Sequence, residues 1–125
     1  MTLVDTNVIL RWLRDDHPRL SADAVKIVEA ARQASLIITD VVVGEVVYIL
    51  RSFGSDCRQT MEAIAYVKRE PAFKFENEEV ISETMQLHAE TRLDYADCYL
   101  LTRALREKHD LVTFDKAMNR ILESR

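Results

Sequence analysis

The sequence predicts an α/β fold built on a central parallel sheet, and three observations lead there. Short runs with strand character recur four times, at Thr2–Asp5, Leu36–Thr39, Phe73–Phe75 and Asp110–Phe114. Between them lie longer stretches whose apolar residues repeat at helical spacing. Glycine and proline number only two each, so the connections must be short. Strands alternating with helices in this way give a parallel sheet with helices on both faces. The expectation is one domain over residues 1–125, with a sheet of four strands.

Thr2-Leu-Val-Asp5 is a short apolar run that ends in an acid. A helix follows at once, with Val8, Ile9, Trp12 and Leu13 on one stripe, and His17-Pro18 breaks it. Ser21 is the expected N-cap of a second helix to about Ala34, with Ala24, Ile27, Val28 and Ala31 facing inward. After the second strand, Thr39 or Asp40 caps a helix to about Ser52. Its β-branched residues also suit a strand, but the run is too long for one and ends at Gly54. Ser55 or Asp56 opens a helix through Lys68, with Met61, Ile64, Ala65 and Tyr66 or Val67 inward, and Pro71 stops it. Past the third strand, Asn77 caps a helix whose first turn carries Glu78 and Glu79, where acids suit the positive helix end. That helix presents Val80, Ile81, Met85 and His88. Asp94 or Tyr95 starts the next helix, through about Lys108. Asp115 begins the last, with Met118, Ile121 and Leu122 apolar.

Bulk composition narrows the function classes. Of 125 residues, 48% are hydrophobic and 30% charged, which suits one globular core. Net charge is −4, so no global positive field draws the chain to nucleic acid; binding there would need local patches or metal ions. The longest apolar stretch, Val41 to Leu50, is far short of the ~20 residues that span a bilayer. No signal peptide is expected from the N-terminus. Cys57 and Cys98 lack metal-site spacing and read as reduced thiols of a cytoplasmic protein.

Four acids stand out. In open parallel sheets, ligands sit beyond the carboxyl ends of strands, where strand order reverses. Asp5 ends the first strand and Asp115 follows the fourth, so adjacent first and fourth strands would place both in one crevice. Glu45 lies in Val41-Val-Val-Gly-Glu-Val-Val-Tyr-Ile-Leu50, a helix apolar nearly all round. A carboxylate buried there must be paired, neutralised or metal-bound. Asp97 sits in Tyr95-Ala-Asp-Cys-Tyr-Leu-Leu101, with Asp94 three residues earlier on the same face. Converging carboxylates without basic partners raise one another's pKa values, and a divalent cation resolves the conflict. Mg²⁺ favours such oxygen ligands and keeps waters that can attack a phosphodiester.

With Leu3-Val-Asp-Thr-Asn-Val8 at the start, Glu45 in an apolar helix, Leu93-Asp-Tyr-Ala-Asp97 opening a late helix and Leu111-Val-Thr-Phe-Asp115 near the end, the chain resembles the PIN domain family. Within it, the likeness is to the VapC-type toxins of toxin–antitoxin pairs. The resemblance covers almost the whole chain. It implies a ribonuclease in which Asp5, Glu45, Asp97 and Asp115 bind one or two Mg²⁺ or Mn²⁺ ions. It further implies supporting roles for Thr6, Asn7, Asp94 and Thr113, a homodimer, and a cognate antitoxin covering the crevice. Family members often add a fifth short strand; the sequence stops at Arg125, soon after its last helix, so four strands or five are expected.

Blander readings accompany these. Asp5 and Asp115 also suit plain N-caps, and capping and ligation can coexist. Asp40 and Asp56 read as caps alone, and Asp94 as a cap before a ligand. Glu45 could instead form an ion pair with a distant base. His17, His88 and His109 show no ligand spacing and read as surface or partly buried. Trp12, Leu13, Tyr48 and Phe53 read as core. Arg11, Arg14, Lys116 and Arg120 lie closest in chain to the crevice and are the candidates for RNA phosphate contacts. Three rivals are an RNA-processing or RNA-binding PIN protein outside a toxin pair, an aspartyl-phosphate phosphatase and a receiver-like domain. The phosphatase needs a second Asp where Asn7 stands, and the receiver needs an early acid pair that is missing.

Overall fold

The structure is a computed structural model that describes residues 1–125. In chain order the elements are β1 (Thr2–Leu3), α1 (Thr6–Arg14), α2 (Pro18–Ala30), β2 (Leu36–Ile38), α3 (Asp40–Ser52), α4 (Cys57–Arg69), β3 (Phe73–Phe75), α5 (Glu78–Thr91), α6 (Tyr95–Glu107) and α7 (Lys116–Ser124). The strands pair in parallel in the order β1-β2-β3, with Leu36 opposite both Thr2 and Phe73. Helices flank this small sheet, as the alternating pattern predicts. None is long and apolar enough to cross a membrane.

The sheet has three strands, not the four or five expected. Residues 109–115 form no ladder with β1, which is left as an edge. Two causes act together. β1 contributes only Thr2 and Leu3, both exposed, so a strand beside it gains little burial. Local bonds also compete for the segment. The Thr113 carbonyl accepts from Asn119 Nδ2 at 3.0 Å, and Thr113 Oγ1 accepts from the Asp115 N–H at 3.0 Å. Val112 and Phe114 consequently face solvent at 90% and 101% exposure. Replacing Phe114 with Ser is therefore expected to change unfolding free energy by no more than ~0.5 kcal/mol. A loss of several kcal/mol in chemical denaturation would mean that the segment packs as a strand after all.

Two apolar clusters hold the helices. The larger joins the sheet to α1 through α5, around Ile9, Ile38, Val43, Val46 and Ile81. Ile38 is 1% exposed, and full burial of such a side chain contributes roughly 1.5–3 kcal/mol. The smaller gathers Leu87 of α5, Cys98 and Leu101 of α6, and Met118 of α7. Helix α6 belongs to both, because Tyr95 and Tyr99 pack on the larger cluster while Cys98 and Leu101 sit in the smaller. Burial pushes the Cys98 thiol up to about 11, and both cysteines are free and buried.

Several local expectations need correction. Helix α2 begins at Pro18, with His17 as N-cap accepting from Leu20 N, and ends at Ala30. Ser21 instead lies inside, 1% exposed, accepting from His17 N. Ile27 faces outward, and so do Tyr48 and Phe53, at 76% and 66% exposure, whereas Trp12 and Leu13 do pack on the core. His88 is buried at 3%, deeper than the surface or partly buried position expected.

Candidate metal centre

Because β1 is an edge strand, the crevice does not lie between two central strands as predicted. The first two acids instead stand at the start of α1, just past β1, and on α3. Asp5 caps α1, its Oδ1 accepting from Asn7 N at 3.3 Å. The next residue, Thr6, is buried and donates from Oγ1 to Glu45 Oε2 at 3.1 Å. One hydrogen bond thus ties the first turn of α1 to the second turn of α3 and holds Glu45 beside the Asp5 turn. Glu45 itself is exposed, not enclosed by apolar residues. Helix α3 buries Val43, Val46, Val47 and Leu50 and turns Val41, Glu45 and Tyr48 outward.

The second group of acids comes from α6 and α7. Asp94 caps α6 by accepting from Asp97 N at 2.9 Å, and Asp115 caps α7 by accepting from Met118 N at 2.9 Å. Asp97, half-buried in the first turn of α6, has its carboxyl raised above the usual aspartate range. Burial is the first cause, followed by the charges of Asp94 and Asp115. The fold therefore brings the charges of Asp94 and Asp115, at the starts of two helices, to bear on Asp97. Thr113 sits against the same turn, bonded to Asp115 N.

The two groups are not drawn into one shell. No three acidic, histidine or cysteine side chains stand at mutual metal-binding spacing. Like charges with no cationic side chain among them favour separated rotamers. The donor set nevertheless fits a hard divalent ion in its chemistry: four carboxylates and nearby hydroxyls, with no thiolate or imidazole. Its charge also fits. Six ion pairs form in the molecule, and none involves Asp5, Glu45, Asp97 or Asp115. No distant base forms an ion pair with Glu45.

Of the basic candidates, Arg11 and Arg14 are both engaged by Asp16, at 3.2 and 3.0 Å. Lys116 and Arg120 are exposed on α7, next to Asp115, and form no ion pair. A groove of about 640 Å³ opens between α3 and the α5–α6 turn, with Glu45, Tyr48, Arg92 and Asp94 on its walls.

Two residues are misread from sequence. Asp40 is not a cap: Thr39 caps α3, accepting from Val42 N at 3.3 Å. Asp40 is buried one residue later and takes the Tyr99 hydroxyl and Asn77 Nδ2 on its Oδ2. Asn77 accordingly makes no side-chain cap on α5. His88 Nδ1 lies 2.6 Å from the Leu93 carbonyl, which can only accept, so Nδ1 carries the proton. That bond secures the turn leading to Asp94. The only sequence signal for either residue was its placement on an apolar helix face or at a helix start.

A family model for the PIN domain matches residues 2–123. The sequence has no match among curated proteins. PIN domains are generally nucleases and typically use divalent metal ions. With acids after β1, on α3, and at the starts of α6 and α7, and with that match along nearly its full length, the chain belongs to the PIN domain family.

Proposed function

We propose that this chain is a single-domain, metal-dependent endoribonuclease, cytoplasmic, and the toxin of a toxin–antitoxin pair of the VapC type. The observation that carries the catalytic part is a set of four carboxylates, from four separate segments, that the fold leaves without one basic partner. Thr6, the neighbour of Asp5, bonds Glu45, and burial with the charges of Asp94 and Asp115 raises the Asp97 carboxyl above its usual range.

Asp5, Asp97 and Asp115 would hold one or two Mg²⁺ or Mn²⁺ ions, and Glu45 would bind an ion or orient the attacking water. When bound, the ion supplies a polarised water and neutralises charge on the phosphodiester. The protein does the positioning. Caps fix the backbone at Asp5 and Asp115 and spend only Oδ1, leaving Oδ2 of each without a protein donor. Thr6 takes one oxygen of Glu45 and leaves the other free. Asn7 and Thr113 steady the turns that carry Asp5 and Asp115. With net charge −4, RNA affinity rests on the ion and on Lys116 and Arg120, with Arg11 and Arg14 available only by leaving Asp16. A homodimer and an antitoxin seated over the crevice complete the reading.

The test is direct. Incubation with a single-stranded RNA should give internal cleavage in Mn²⁺ or Mg²⁺ and none after chelation, with activity restored by adding the ion back. Cleavage that survives chelation, or no binding of Mn²⁺, removes the assignment. Growth arrest on expression, relieved by the product of an adjacent short gene, would add the toxin role.

A further inference from the structure

The carboxylates of the proposed centre ride on two different apolar clusters. Asp5 and Glu45 are carried by α1 and α3, which belong to the larger cluster; Asp97 and Asp115 start from α6 and α7, which bury the smaller. Their mutual placement depends on the seam between α3 and α6. That seam is built from polar bonds around one buried acid. Asp40, at the start of α3, accepts the Tyr99 hydroxyl, and its backbone carbonyl accepts the Tyr95 hydroxyl at 3.4 Å. Tyr95 and Tyr99 stack with ring centres 5.8 Å apart, one on each side of Asp97 in sequence. Arg103 Nη1 donates to the Tyr99 oxygen at 2.8 Å, so the hydroxyl is both donor to Asp40 and acceptor from Arg103. On the far side Asn77 Nδ2 holds the same Asp40 oxygen at 2.9 Å.

Close approach is also written into α3. A Cβ placed on Gly44 would meet Tyr95 Cε2 at 3.0 Å, tighter than nearly all ordinary contacts. Glycine inside a helix is unfavourable relative to alanine, so its presence here goes with the ring that fills its place. Gly44 is the residue before Glu45. The spacing that Gly44 and Tyr95 permit, and that Asp40 and Tyr99 lock, is the spacing between the backbone under Glu45 and the backbone under Asp97.

We propose that Asp40 and Tyr99 are positioning residues for the divalent-ion centre, setting the α3–α6 separation on which joint ligation by Glu45 and Asp97 depends. Neither touches ion or substrate; they act through the helices they join. The inference rests on the metal-centre reading above, and the experiment separates the two. Mn²⁺ is titrated by calorimetry into the wild type, Tyr99→Phe, Asp40→Asn and Arg106→Ala. Arg106 links α6 to Glu79 and Glu83 of α5, so its loss loosens α6 without altering the α3 seam. Tyr99→Phe and Asp40→Asn are expected to raise the Mn²⁺ dissociation constant about tenfold, the low end of what loss of a supporting group costs a metal site. Arg106→Ala should match the wild type. In RNA cleavage at saturating Mn²⁺ both seam variants should lose kcat while KM for RNA stays, because the ion is then bound and Lys116 and Arg120 are untouched. Asp40→Asn carries the comparison if Tyr99→Phe does not fold. A folded seam variant binding Mn²⁺ within twofold of the wild type overturns this inference alone. A wild type that binds no Mn²⁺ overturns it together with the metal centre.

Discussion

Asp5→Asn is expected to lower metal-dependent RNA cleavage by on the order of a hundredfold or more while leaving the fold intact. The two halves of that expectation have different causes. Asparagine caps a helix about as well as aspartate, so the bond from Asn7 N to the side chain at position 5 survives and α1 still starts there. What disappears is one negative charge from a set that has no compensating base. A ligand for a hard cation is lost, and the ion is held less well and less centrally. Asp56→Asn is the matched control. Asp56 makes the same kind of cap on α4, accepting from Gln59 N at 2.7 Å, and takes no part in the proposed centre. Steady-state cleavage in Mn²⁺, with circular dichroism on each variant, reads the comparison. If Asp5→Asn and Asp56→Asn cleave equally well, Asp5 is a cap and nothing more.

The contrast between those aspartates marks where sequence reading succeeds. Four helix starts were legible because capping is local: Thr39, Asp56, Asp94 and Asp115 each bond a backbone N–H three residues on, so type and spacing suffice. The inward stripe of α5 was legible for the same reason, and Val80, Ile81 and Met85 are all buried. What depends on a distant partner was not. Asp40 looks like any other first-turn acid until Asn77 and Tyr99, 37 and 59 residues away, close on it. The fourth strand failed because strand formation needs a receptive edge, and a two-residue β1 with exposed side chains offers little. Glu45 was picked for a burial it does not have. Its neighbours are apolar along the chain, but the helix turns it out beside Val41 and Tyr48, and the Thr6 hydroxyl reaches it there. The motif order picked out the acids; that Thr6 ties Glu45 to the start of α1, and that Asp94 and Asp115 bear on Asp97, is visible only in the fold.

Asp97→Asn should move stability in opposite directions depending on whether Mn²⁺ is present. Without the ion, the Asp97 carboxyl is held above its usual range by burial and by Asp94 and Asp115. An acid whose folded pKa exceeds its unfolded one binds its proton more tightly when folded. Stability then falls as pH rises between the ordinary aspartate value and the raised one, and the deficit remains at neutral pH. Asparagine cannot ionise, so the variant escapes that deficit. Its Tm at pH 7 should exceed the wild-type value by roughly 2 °C, the scale of a relieved like-charge contact. With Mn²⁺ at about a hundred times its dissociation constant, binding adds ~2.7 kcal/mol to the wild type, on the order of 10 °C in Tm. The variant lacks a ligand and should gain little, so the order of the two melting curves reverses. The wild-type gain should also shrink as pH falls toward the raised Asp97 value, where protons compete with the ion for the carboxylate. Melting curves at pH 7 and pH 5, each with Mn²⁺ and with chelator, contain the whole test. If the variant is the less stable protein without metal, the repulsion at Asp97 is not what limits the unbound fold. If the curves keep their order when Mn²⁺ is added, Asp97 does not hold the ion.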